Sequence, residues 1–200
     1  MSPLNNEQQD LLLGLARKSL EAAVRAGSTR VVPLAVAEIP SALAVPGSAF
    51  VTLHAMGTPP ALRGCVGFLD RSRPLYKTVM DAAAAAALRD TRFRAVTPEE
   101  LAGLSIEISV LSHFWKVRPE EIAVGVHGLA ITQDAARGLL LPQVAVERNW
   151  TAMRFLDEAC RKAGLAPGAW RSGAQIEAFT AQIFAEGKRE AAPKERFTRP

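Results

Sequence analysis

The chain has 200 residues, 48% of them hydrophobic and 22% charged. That is enough apolar material for one good-sized domain, or a domain with a smaller lobe, and it excludes disorder as the default state. The 24 basic and 20 acidic residues leave a formal net charge of only +4, and much of the surplus sits between Lys188 and Arg199, so the charge pattern is that of a balanced body with a basic tail and argues against a nucleic-acid surface.

Met1 to Asp10 is polar and lacks a basic segment followed by an apolar core, so no secretory signal is read. No apolar stretch reaches the ~20 residues of a membrane span. The expected location is the cytoplasm, where Cys65 and Cys160, which could in principle be bridged, are free thiols. Residues 1–187 are expected to form the folded body, and 188–200 a flexible basic tail that is dispensable for folding.

In chain order, Leu12, Leu15, Ala16, Leu20, Ala23 and Val24 recur at three- and four-residue steps and predict an amphipathic helix over 7–26, stopped by Gly27. The proline-punctuated stretch from Pro33 to Pro46 is a connection. Alternation over 48–55 and again over 62–69, with Gly57, Pro59 and Pro60 between, predicts a hairpin. Pro74 opens an alanine-rich helix over 75–89 whose run Ala82 to Ala87 lets other backbone approach closely. Thr97 and Glu100 form a capping box at a helix start, and Ile106, Ile108 and Val110 mark a strand over 105–111. Short strands follow at 129–133 and 138–141, then a helix from Pro142 to about Asn149. Thr151 caps a further helix to Ala163, ended by Gly164. Residues 175–186 read as one strand. Antiparallel strands mixed with separate helices give an α+β fold, and the strands 48–69 and 105–111 are expected in one antiparallel sheet under the alanine helix.

The densest unusual feature is Arg63-Gly64-Cys65-Val66-Gly67 inside a strand pattern. Two glycines weaken a strand, so Gly64 and Gly67 mark a bulge or the close approach of a ligand or of a second backbone. Arg63 offers a forked donor for an anion. Its charge beside Cys65 would lower the thiol pKa and favour the thiolate. The structural alternative is an inert cysteine between glycines that pack under the alanine helix. His127, in a glycine-flanked turn, is a candidate general base, or a turn histidine bonded to its own backbone. Asp90 and Arg92 end the alanine helix as an ion pair that braces the site, or as a solvated helix end. Glu147 lines the site or faces water. No Walker-type phosphate loop, dinucleotide fingerprint or zinc-finger spacing is present. A metal site would need the fold to gather Cys65, His54 and His127, and none is expected; the sequence names no cofactor.

These residues also resemble a known family. Phe50-Val51-Thr52-Leu53, Leu62-Arg63-Gly64-Cys65-Val66-Gly67, Asp90-Thr91-Arg92-Phe93, Ile108-Ser109-Val110-Leu111, Gly125-Val126-His127-Gly128, Leu140 to Glu147 with Trp150, and Ala159 to Gly164 run in the order of the AMMECR domain family. The resemblance covers about residues 8–186. Val66 stands where isoleucine is usual and Phe68 where a hydroxyl residue is common. The resemblance implies a two-lobed α+β fold with the cysteine motif in a cleft. It also implies the "A" component of the AmmeMemoRadiSam set, alongside a Memo-like protein and a radical SAM protein. Two functional readings follow. In the first, an enzyme uses Cys65 as nucleophile or redox thiol, with Arg63 as anion clamp, His127 as base and Glu147 as orienting or acid/base group; Gly64, Gly67, Asp90 and Arg92 complete the substrate site. In the second, the same residues form a non-catalytic module that binds a small ligand, a peptide or partner proteins.

Overall fold

The structure, a computed structural model, describes residues 3–29 and 39–187. The tail 188–200 and much of the proline-punctuated connection lie outside the described residues.

Local signals set most elements. Helix α1 spans Asn6–Ala26. Asn5 caps it by accepting the Gln8 N–H, and the Gln8 side chain accepts the Asn5 N–H in return. Gly27 ends it in the left-handed conformation at φ +60. A single turn, α2 (Ser41–Ala44), precedes the strands β1 (Ser48–Ala55) and β2 (Ala61–Phe68). These form the expected antiparallel hairpin, with Thr52 opposite Cys65 and a register shift between Leu53 and His54. Helix α3 covers Leu75–Leu88. The Thr97–Glu100 capping box is present, but it opens a 3-10 turn, Pro98–Gly103, that feeds straight into β3 (Leu104–Leu111).

Further along come β4 (Trp115–Lys116), β5 (Gly128–Gln133), β6 (Ala136–Leu140), α4 (Pro142–Glu147), α5 (Ala152–Lys162), β7 (Gln175–Phe179) and β8 (Ala181–Ala185). The single strand expected over 175–186 is therefore two. The break falls at Thr180, whose N–H donates to Ser112 Oγ and whose carbonyl accepts the Ser112 N–H, each at 2.9 Å. With both backbone groups taken there, the chain leaves one sheet and enters the other. The fold is α+β, with two antiparallel sheets ordered β2-β1-β3-β8 and β4-β7-β5-β6.

The chain divides into two compact units. Of the described residues, the first comprises those of Pro3–Val110 and those from Ile183 to Gly187. Its core joins Leu12, Ala16 and Leu20 of α1, the alanines of α3, and the inward rows Val51 and Leu53 of β1 and Ile106 and Ile108 of β3. Ala82 to Ala87 are all 5% exposed or less, because α3 packs against both α1 and the hairpin and only a methyl fits there. Ser19, buried in α1, donates to the Met80 carbonyl at 2.7 Å, so its hydroxyl is satisfied. The second unit, Leu111–Gln182, packs Phe155, Leu156, Ala159 and Cys160 of α5 on Leu129 and Ile131 of β5. Gly138 of β6 lies under the end of α5, where a Cβ would stand 2.2 Å from the Ala163 nitrogen. No helix among the described residues is long and apolar enough to cross a membrane.

Candidate functional site

Strand alternation places the site. Val51, Leu53, Ile106 and Ile108 face the core, so Phe50, Thr52, Glu107 and Ser109 lie on the opposite face of the first sheet. Cys65 shares that face, since Thr52 Oγ1 donates to its Sγ at 3.4 Å. Both glycines flanking Cys65 have steric reasons. A Cβ on Gly64 would stand 2.2 Å from the Ala86 carbonyl oxygen of α3, and one on Gly67 would stand 2.4 Å from the Phe50 ring. The close approach expected at Gly64 is that of a second backbone.

β2 is an edge strand, so the N–H and C=O of Cys65 that turn away from β1 need partners. The turn after α3 supplies them. Asp90 Oδ2 accepts the Cys65 N–H at 2.8 Å, and Arg92 Nη2 reaches the Cys65 carbonyl at 3.4 Å. Arg92 is held in turn by Asp90, through Nε at 2.9 Å and Nη2 at 2.6 Å. The pair thus stands in for a neighbouring strand. The Asp90 side chain is 6% exposed and that of Arg92 53%. The Arg92 guanidinium first, then the N–H groups of Cys65 and Arg92, hold the Asp90 carboxyl down at about 2.

Arg63 takes a different direction from the one expected. Its Nε and Nη2 donate to Glu100 at 2.7 and 3.0 Å, and Nη1 donates to the Arg94 carbonyl at 2.9 Å. The fork is occupied by the capping-box glutamate and is not presented to an anion. It is Arg92 whose charge reaches the Cys65 thiol. The expected lowering of the Cys65 pKa is also reversed. Burial pushes the thiol up, with further upward contributions from Asp90 and Glu107, and these outweigh the hydrogen bond from Thr52 and the charge of Arg92. At neutral pH the group is a protonated thiol.

The structure brings Cys65, Asp90 and Arg92 together and sends Arg63 to Glu100. His127 and Glu147 belong to the second unit and have their own surroundings. His127 Nδ1 accepts the Ala123 N–H at 3.2 Å, which puts the ring proton on Nε2. Its ring stands edge-on to Trp115 at 5.5 Å, and burial lowers its pKa, so the imidazole is neutral. Glu147 is exposed at the end of α4. Thr52, Glu107 and Ser109 were not singled out from the sequence, and Glu100 was read there only as a capping residue. Thr52 was within reach of it, since counting back through the hairpin turn sets it across from Cys65. Ser109 is 1% exposed, and its hydroxyl has no hydrogen-bond partner among the described residues. Both cysteines are free, and no group of three or more metal-ligating side chains occurs among the described residues.

An α+β chain with a half-buried cysteine on the sheet face opposite the core, braced by an Asp-x-Arg turn, is the class of protein these features define. The AMMECR1 family profile matches residues 13–184, and the chain belongs to that family. A protein of Thermococcus gammatolerans is 40% identical over 195 residues, covering 93% of this chain and 94% of its own. One from Methanosarcina acetivorans is 37% identical over 182 residues, covering 88% and 90%. The crystal structure of the uncharacterized protein PH0010 from Pyrococcus horikoshii superposes with a TM-score of 0.85 at 34% identity, covering 92% of this chain and 94% of that one.

Proposed function

We propose that this chain is a non-catalytic binding module whose recognition surface is the sheet face around Cys65, and that it works with a Memo-like protein and a radical SAM protein, as the AMMECR resemblance implies. The observation that carries this reading is the environment of Cys65. Its thiol is held protonated by burial, and the charged pair beside it is spent on its backbone. A nucleophilic cysteine needs the opposite, a thiolate at working pH. Ser109 supports the same reading, because a buried hydroxyl without a partner is a polar position that a ligand can satisfy. The enzyme reading keeps one specific support: Thr52 and Arg92 both act to lower the thiol pKa.

Alkylation as a function of pH separates the two. Iodoacetamide labelling of the folded chain, followed by peptide mass spectrometry, gives the rate at Cys65 with buried Cys160 as internal reference. The binding reading expects the Cys65 rate to rise with a midpoint above the ordinary thiol value of about 8.5. A midpoint below about 7.5 would establish an activated thiolate and reinstate the enzyme. In parallel, Cys65→Ser keeps shape and polarity, so it should retain capture of the Memo-like and radical SAM proteins.

A further inference from the structure

We propose that the groove between α1 and the 3-10 turn Pro98–Gly103 binds an apolar α-amino acid in its zwitterionic form. The groove lies wholly within the first unit and has a volume of about 560 Å³, within the range of small-molecule sites. Cys65, Thr52, Asp90, Arg92 and Ser109 do not line it.

One wall is a charged row of α1. Arg17, Glu21 and Arg25 follow at four-residue steps, so they share a helix face and alternate in sign along it. Arg17 is already spent. Its Nε donates to Glu186 at 2.9 Å, its Nη2 to the same carboxylate, and further bonds go to the carbonyls of Leu101 at 3.3 Å and Leu104 at 2.8 Å. Glu186 also accepts the Ile106 N–H at 2.9 Å, so that pair is closed upon itself. Glu21 and Arg25 differ. They meet only in a loose contact of 3.9 Å, with side chains 40% and 71% exposed. An anionic and a cationic group therefore stand side by side at the groove, each available to a partner of opposite sign.

The other wall is apolar. Leu101 and Leu104 form a buried floor, and Met56 at the rim is 68% exposed, more than any other large apolar side chain among the described residues. A ligand that covers Met56 gains from burying it. The charges set the rest of the ligand. Arg17 and Glu186 cancel, and Glu21 and Arg25 cancel, so a simple carboxylate or a phosphate would leave the groove net negative against Glu21. A zwitterion matches both signs, with its carboxylate on Arg25 and its ammonium on Glu21, while an aliphatic side chain rests on Met56 and Leu101. Because the charged pair is exposed and screened, the expected dissociation constant is on the order of millimolar.

The test uses the full chain labelled with 13C at the methionine methyl groups, titrated with L-leucine. The expected result is a saturable shift of the Met56 methyl signal with the Met153 signal unmoved. Arg25→Gln and Glu21→Gln should each weaken binding about fivefold, with the buried Met80 signal reporting that both variants remain folded. Leucinamide, which lacks the carboxylate, and 4-methylpentanoate, which lacks the ammonium, should bind less tightly by a similar factor. The proposal is overturned if Met56 does not respond at about ten times a millimolar dissociation constant. Binding of 4-methylpentanoate as tight as that of leucine, or binding indifferent to Glu21→Gln, overturns it equally.

Discussion

Replacing Gly64 with alanine tests the seating of the cysteine strand under α3. The added Cβ would lie 2.2 Å from the Ala86 carbonyl oxygen and 3.1 Å from its carbon, where ordinary contact needs more than 3 Å. Both sides of this clash are backbone. β2 is pinned by its hairpin partner and by Asp90, and α3 is wedged against α1 through alanines that leave no slack. Gly64 does not adopt a positive φ, so the effect is steric and not conformational. Overpacking of a core costs about 1–3 kcal/mol, and rigid backbone on both sides places Gly64→Ala at the upper end, about 3 kcal/mol. For a chain of this size that is a fall of roughly 6–12 °C in Tm. Gly14→Ala is the matched control: it lies inside α1 with nothing within 4 Å of its would-be Cβ, and it should gain about 0.5–1 kcal/mol from helix propensity. Urea and thermal unfolding of the two variants give the comparison. If Gly64→Ala lies within about 1 kcal/mol of the parent chain, the strand and helix are not in the close contact described.

Asp90→Asn should cost about 2 kcal/mol at pH 7, because the folded carboxyl at about 2 lies below its unfolded value. That stabilisation is present above the unfolded pKa and is lost as pH falls through the folded one. The gap between parent and variant in urea midpoints should therefore close from about pH 4 to pH 2, and a constant gap would contradict it. Glu186→Ala leaves Arg17 without its carboxylate partner and the Ile106 N–H without its acceptor, so unfolding should show a loss of about 2–3 kcal/mol that salt changes little, where an exposed pair would give under 1 kcal/mol.

The C-terminal edge of α1, the β1–β2 hairpin, the alanine helix and the Thr97 capping box were legible in the sequence because each is set by residues a few positions apart, as Gly27 after Ala26 and Thr97 with Glu100 show. The motif around Cys65 was legible as a place for the same reason, since glycines in a strand need a local explanation. What the sequence could not decide were matters settled by residues far along the chain. Arg63 sits two positions from Cys65, yet its guanidinium goes to Glu100, 37 residues on. Arg92, 27 residues on, is the charge that reaches the thiol. The stretch 175–186 has continuous strand character, yet it is divided between two sheets because Ser112, 68 residues earlier, takes both backbone groups of Thr180. The sign of the Cys65 pKa shift had the same origin. A neighbouring arginine in the sequence argues for a thiolate, but desolvation depends on what the tertiary fold stacks over the sulfur, and at Cys65 it outweighs the charge.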